Sequence, residues 1–90
     1  METDQISQIA TELRTFIRQK FKIPENDADF SDDVHLFDYG YIDSFGAVDL
    51  TTFVDSAFST KITDSDLVAF PLNTIREIAT FVSKRKNGTI

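Results

Sequence analysis

Apolar positions in the first twenty residues fall on one side of a helix. Ile6, Ile9, Leu13, Phe16 and Ile17 recur at spacings of three and four, which predicts an amphipathic helix from Thr3 to about Gln19. Thr3 or Asp4 supplies a cap at its start, and Arg14, Arg18 and Lys20 gather toward its end, where cations suit the helix dipole. The period then lapses. From Phe21 to Asp43 no regular spacing survives and Pro24 interrupts, so the segment reads as a long connection. A connection of that length is unusual in a small domain unless it is functional or holds short turns of its own. Phe30, Val34, Leu36 and Phe37 are the residues expected to tie it to the core, with a helical turn over Asp33–Phe37.

Helical spacing returns at Ser44. Ala47, Leu50, Phe53, Val54, Ala57 and Phe58 define an inner face, with Phe45, Val48, Asp49, Thr52 and Asp55 opposite. This second helix therefore turns two apolar side chains outward beside two carboxylates. Thr63 stands three residues before Asp66, the spacing of a capping box, and opens a brief helix that must stop before Pro71. Thr74 and Glu77 repeat the device ahead of Ile75, Ile78, Ala79 and Val82, and Lys84, Arg85, Lys86 and Gly88 close that last helix. No strand-like alternation and no repeat occurs. The expectation is an all-α bundle of three main helices and one short one, with a long loop between helices one and two, forming a single domain over residues 1–90.

Composition narrows the chemistry. Nine Phe are enough large side chains to fill one small core without Trp. The absence of Cys rules out a disulfide framework, a thiolate metal site and any thiol chemistry supplied by the chain itself. No long apolar run occupies the first twenty residues, so neither a signal peptide nor a membrane span is expected, and a cytoplasmic location follows by default. The net charge of −6 is unevenly spread. Between Lys22 and Lys61 lie Glu25, Asp27, Asp29, Asp32, Asp33, Asp38, Asp43, Asp49 and Asp55, with no Lys or Arg among them. An acidic middle argues against nucleic acid, which demands clustered cations. It suits basic protein partners, although acidic loops also serve simply to keep a small domain soluble. The cations at Lys84–Lys86 complement a helix C-terminus and, with no apolar face beside them, would hold a membrane only weakly.

Two stretches carry candidate chemistry. In FDYGYIDSFGAVDL, Ser44 stands at the start of the second helix, where it is suited to be an N-cap. A helix start also favours a phosphate, through its unpaired amides and positive dipole end. Nucleophilic catalysis by Ser44 lacks a base: the one histidine, His35, lies in the acidic loop, and no G-x-S-x-G elbow surrounds the serine. In DADFSDDVHLFD, residues 27–38, Asp27, Asp29, Ser31 and Asp38 fall at positions 1, 3, 5 and 12 of a calcium-binding EF-hand loop. Asp32 occupies the glycine position and Asp38 replaces the longer bidentate Glu, so specific calcium binding by this loop is the weaker alternative, and no metal ligand is assigned.

Asp38, Gly40, Asp43, Ser44 and Phe45 resemble the D-x-G-(spacer)-D-S-[LMF] signature of acyl carrier proteins and of the related peptidyl and D-alanyl carriers. Helix order, size and acidity resemble that family over essentially the whole chain. The resemblance implies a carrier, not an enzyme. It makes Ser44 the attachment site of 4′-phosphopantetheine, transferred from coenzyme A, whose thiol would hold acyl or aminoacyl groups as thioesters. It implies that Asp43 helps a phosphopantetheinyl transferase to dock, that Gly40 lets the loop turn, and that Phe45, Val48, Asp49 and Asp55 face partner enzymes. Those partners would be a loading ligase and acyltransferases with basic docking surfaces, serving a monomeric carrier. The two-residue spacer Tyr41–Ile42 and Gly46 after Phe45 are closer to D-alanyl carriers and freestanding carriers of specialised pathways than to the fatty-acid type. Ser56 and Ala57 stand where glutamates are common in that type, which points to a dedicated loading enzyme.

Overall fold

The computed structural model describes residues 2–90. Four helices follow one another along the chain: α1 (Glu2–Lys20), α2 (Ser44–Phe58), α3 (Asp64–Ala69) and α4 (Ile75–Lys86). Among the described residues there is no strand, and the all-α bundle with one short helix and a long first loop is the architecture found. Helix α1 begins at Glu2, so Thr3 and Asp4 lie inside its first turn and do not cap it. Both capping boxes form as their spacing predicts: Thr63 and Asp66 open α3, and Thr74 and Glu77 open α4. In each, the threonine hydroxyl accepts the N3 amide while the acid accepts the cap amide, satisfying two donors that a helix start leaves bare.

α1 packs against α4, and the fully buried Leu13, Ile17, Val54, Ile75 and Val82 meet between the helices. Polar ties cross this interface at Gln5, whose Oε1 accepts the buried Ser83 hydroxyl at 2.7 Å and Asn87 Nδ2 at 3.1 Å. The buried stripe of α2 is Gly46, Leu50, Val54 and Phe58. Ala57, expected on the inner face, is exposed instead. The true face is centred on an i, i+4 row that begins at a glycine, and a glycine contributes no hydrophobic signal. A Cβ at Gly46 would sit 2.6 Å from Phe21 Cε1 and 3.0 Å from Ile42 Cγ2, so the missing side chain lets α2 close onto the ring that ends α1.

The long loop is held from both sides. Phe30, Val34 and Leu36 are buried and Phe37 packs partly against the core, as expected; Ile23 and Ile42 join them. Arg14 of α1 bonds both oxygens of Asp32 at 2.6 and 2.7 Å, and Arg76 of α4 bonds Asp33 at 2.6 Å. Arg76 thereby holds the Asp33 carboxyl below its ordinary value. Arg18 donates to Pro24 O at 2.7 Å, and its guanidinium lies 4.8 Å from the centre of the Phe30 ring. The helical turn expected over Asp33–Phe37 forms a few residues later. There Tyr39 N–H bonds His35 O, Gly40 N–H bonds Phe37 O, and Ile42 N–H bonds Leu36 O.

Candidate functional site

The turn over 36–40 delivers the chain to the start of α2. Gly40 has φ +79°, a left-handed conformation that costs an L-residue strain, and nothing lies within 4 Å of where its Cβ would be. The backbone, not crowding, calls for glycine there. Asp43 follows in an extended conformation (φ −98°, ψ −174°), and its Oδ1 accepts the Gly46 amide at 2.7 Å. Asp43 is therefore the N-cap, and Ser44, read from the sequence as a candidate cap, is the first helical residue instead. With the cap filled by its neighbour, the exposed Ser44 side chain stands at the first turn of α2. The opening amides of a helix have no intrahelical acceptor, so the position combines a hydroxyl with a local preference for negative charge. His35 is engaged elsewhere. Its Nδ1 accepts the Asp38 amide at 3.0 Å within its own turn.

One face of α2 leads away from Ser44. Phe45 is 83 % exposed, and Val48 is exposed one turn along. Of the carboxylates expected beside them, Asp49 points outward 3.7 Å from Lys20 of α1. Asp55 does not remain free on that face: its Oδ1 accepts the Ile62 amide at 2.9 Å and the Thr60 hydroxyl at 3.2 Å, pinning the loop that leaves α2. The bonds follow from position, because a carboxylate one turn before a helix end lies within reach of the chain that doubles back. The exposed apolar surface also includes residues that periodicity missed: Tyr39 in the turn, and Leu67 and Val68 on α3. Six residues of helix are too few for spacing to display a face.

Between α2 and α3 lies a cleft of about 650 Å³. Leu50 and Val54 line it from α2, Leu67 from α3, with Phe37, Leu72 and Ile78 completing much of the wall, and Val48 and Asp64 line it as well. The cleft thus begins one helical turn from Ser44. The acidic loop is built differently. Asp27 accepts the Tyr41 hydroxyl at 3.1 Å and the Asp29 amide at 2.9 Å, while Ser31 Oγ accepts the Asp33 amide at 3.3 Å. Burial first, and the Asp27 bond second, push the Tyr41 phenol up. Among the described residues no three His, Asp or Glu side chains converge as metal ligands would.

The site thus joins an exposed serine at a helix start to a mainly apolar cleft one turn away. The chain matches the family model described as a phosphopantetheine attachment site over residues 10–82, and it belongs to that family of carrier domains. No curated protein and no solved structure matches it. Members of the family carry covalently attached 4′-phosphopantetheine and interact with phosphopantetheinyl transferases and biosynthetic enzymes. The start of α2 fits such a group: a solvent-facing hydroxyl sits beside amides that favour a phosphate. Among the described residues no helix is long and apolar enough to cross a membrane.

Proposed function

We propose that the protein is an acyl carrier whose Ser44 hydroxyl is esterified with 4′-phosphopantetheine. The observation that carries the reading is the division of labour at the start of α2. Asp43 takes the cap, which leaves Ser44 exposed on the helix terminus that favours a phosphate. When attached, the group supplies a terminal thiol for a thioester, the chemistry that a chain without cysteine lacks. Asp43 and the Gly40 turn position the serine, and Phe45 and Val48 offer an apolar contact to the transferase and to loading enzymes.

The cleft supports an apolar acyl cargo over a polar aminoacyl one. Its walls are mainly apolar, with Thr51, Thr52, Asp64 and Asn73 supplying the polar share, and it begins one turn from Ser44, so burying a chain there removes apolar surface from water. The Tyr41–Ile42 spacer and Gly46 support a carrier dedicated to a specialised pathway and loaded by its own ligase, in the cytoplasm where coenzyme A is at hand. The test is intact-protein mass spectrometry after incubation with coenzyme A and a broad-specificity transferase. Wild type gains one pantetheine adduct and Ser44→Ala none. An unchanged wild-type mass, or the same adduct on Ser44→Ala, would sink the proposal.

A further inference from the structure

The segment that delivers the chain to Ser44 is short and begins at a hinge. Gly40 is left-handed, and nothing packs where its Cβ would be. Asp43 is already the cap of α2. Only Tyr41 and Ile42 stand between them, and each is anchored to a different part of the fold. Ile42 is buried; its N–H bonds Leu36 O at 3.1 Å, and its Cγ2 lies against Gly46 of α2. Tyr41 reaches into the acidic loop instead. Its ring meets the buried Phe30 edge-on, with centroids 5.4 Å apart, and its hydroxyl bonds both oxygens of Asp27 at 3.1 Å.

The far end of that bond is itself held. Asp27 N–H bonds Pro24 O at 3.1 Å, and the Asp27 carboxylate also accepts the Asp29 amide. Arg18, in the last turn of α1, donates to the same Pro24 O and lies over the Phe30 ring. The tie from Tyr41 thus runs through the loop to the end of α1. Burial first, and the Asp27 bond second, push the phenol above its ordinary pKa, so at neutral pH it keeps its proton and donates. A hydrogen bond to a carboxylate is among the stronger ones that a neutral side chain makes. Beside a glycine, one anchor leaves the chain free to rotate about its own axis; two consecutive anchors on different elements remove that freedom. Ser44 lies between the cap and Gly46, so a cap that drifts takes the serine with it.

We propose that Tyr41 is a positioning residue for the modification of Ser44. Through its bond to Asp27 it fixes the segment from Gly40 to Asp43, and so where the first turn of α2 presents the serine hydroxyl. One of the two spacer residues thereby supplies the anchor that a longer spacer needs. The role at Ser44 rests on reading that serine as the tether; the fixing of the segment does not.

The test compares the full chain of wild type with Tyr41→Phe, Asp27→Ala, Asp27→Asn and the double variant Tyr41→Phe/Asp27→Ala. Phenylalanine keeps the ring against Phe30 and removes only the hydroxyl, while asparagine keeps an acceptor. Amide hydrogen exchange reads the anchor. In Tyr41→Phe and Asp27→Ala the Ile42 and Gly46 amides, which bond Leu36 O and Asp43 Oδ1, exchange up to about tenfold faster, the ceiling set by one hydrogen bond. Amides of α1 and α4 keep wild-type rates, and Asp27→Asn stays close to wild type. Unchanged rates at Ile42 and Gly46, or equal acceleration in every helix, would overturn the anchor. Modification by a broad-specificity transferase with coenzyme A reads the positioning. Tyr41→Phe lowers kcat about fivefold and leaves the KM for the carrier unchanged, because Phe45 and Val48 still offer their contact. The double variant is no slower than Asp27→Ala alone, and Asp27→Asn recovers most of the rate. An unchanged kcat beside accelerated exchange overturns the positioning role and leaves the anchor standing. Should Ser44 accept no arm at all, the carrier reading and the positioning role fall together, and the exchange data still decide whether Tyr41 fixes the segment.

Discussion

At Asp43 and Ser44 two good helix-capping residues stand side by side, and the fold assigns them different work. Capping preference alone does not say which of two neighbours takes the cap; the extended backbone of Asp43 and its bond to the Gly46 amide do. This yields a separable prediction. Asp43→Ala lowers stability by about 1 kcal/mol through loss of the cap, whereas Asp43→Asn keeps the side-chain acceptor and most of the stability. Thermal melts of both variants check it. If the charge as well as the cap serves transferase docking, Asp43→Asn is modified more slowly than wild type despite its stability. Phe45 behaves in the opposite way. Being 83 % exposed, it contributes little to the fold, so Phe45→Ala leaves stability within about 0.5 kcal/mol of wild type. Its loss lowers transferase kcat/KM about tenfold if it is a docking anchor. Equal kinetics for the two proteins would remove Phe45 from the docking surface. Gly40 was legible as a turn residue from its place in the motif, whereas the need for Gly46 was hidden, because the ring it accommodates, Phe21, is remote in sequence.

Helices and their caps were legible wherever the signal was local. Both capping boxes, the inner face of α4 and the outward Phe45 and Val48 follow from spacings of three and four. Long-range partners were not, because nothing in a sequence pairs Arg14 with Asp32, Arg76 with Asp33 or Arg85 with Asp66. Asp66 shows the consequence. Spacing marked it as a capping residue, yet its carboxylate also reaches α4, and the Arg85 bond, with the Thr63 amide second, holds its pKa down at about 2 from the ordinary 3.8. A carboxyl with a depressed folded-state pKa stabilises the fold at pH above its unfolded value, and the contribution drains away as pH falls toward the folded one. The α3 attachment is thus intact at neutral pH and weakens between pH 3.8 and about 2. Asp66→Asn is accordingly less stable than wild type at pH 7, and the gap closes over that acidic window. A gap that stayed constant across melts at pH 7, 4, 3 and 2 would show that the carboxylate's charge plays no part.

Over the whole molecule, the segregation of charge along the chain resolves into ion pairs. The acidic middle and the basic ends meet as Arg14–Asp32 and Arg76–Asp33, which staple the long loop to α1 and α4. Asp27 and Asp55 serve hydrogen bonds of the loops. Part of the negative charge that composition assigned to attracting partners is therefore spent in holding the site's own scaffold. The surface that leads from Ser44 is instead mainly apolar: Phe45 and Val48 on α2, Leu67 and Val68 on α3. The bundle's function then rests on one hydroxyl and what is attached to it. Trypsin cleaves after Lys22 and Lys61 and nowhere between, so a single peptide, Ile23–Lys61, holds Ser44 together with Ser31, Ser56 and Ser59. Tandem mass spectrometry of that peptide, after modification by a transferase and coenzyme A, tests the central claim most directly. The account predicts fragment ions that place the whole phosphopantetheine mass on Ser44. The same mass on Ser31, Ser56 or Ser59, or an unmodified peptide, would contradict it.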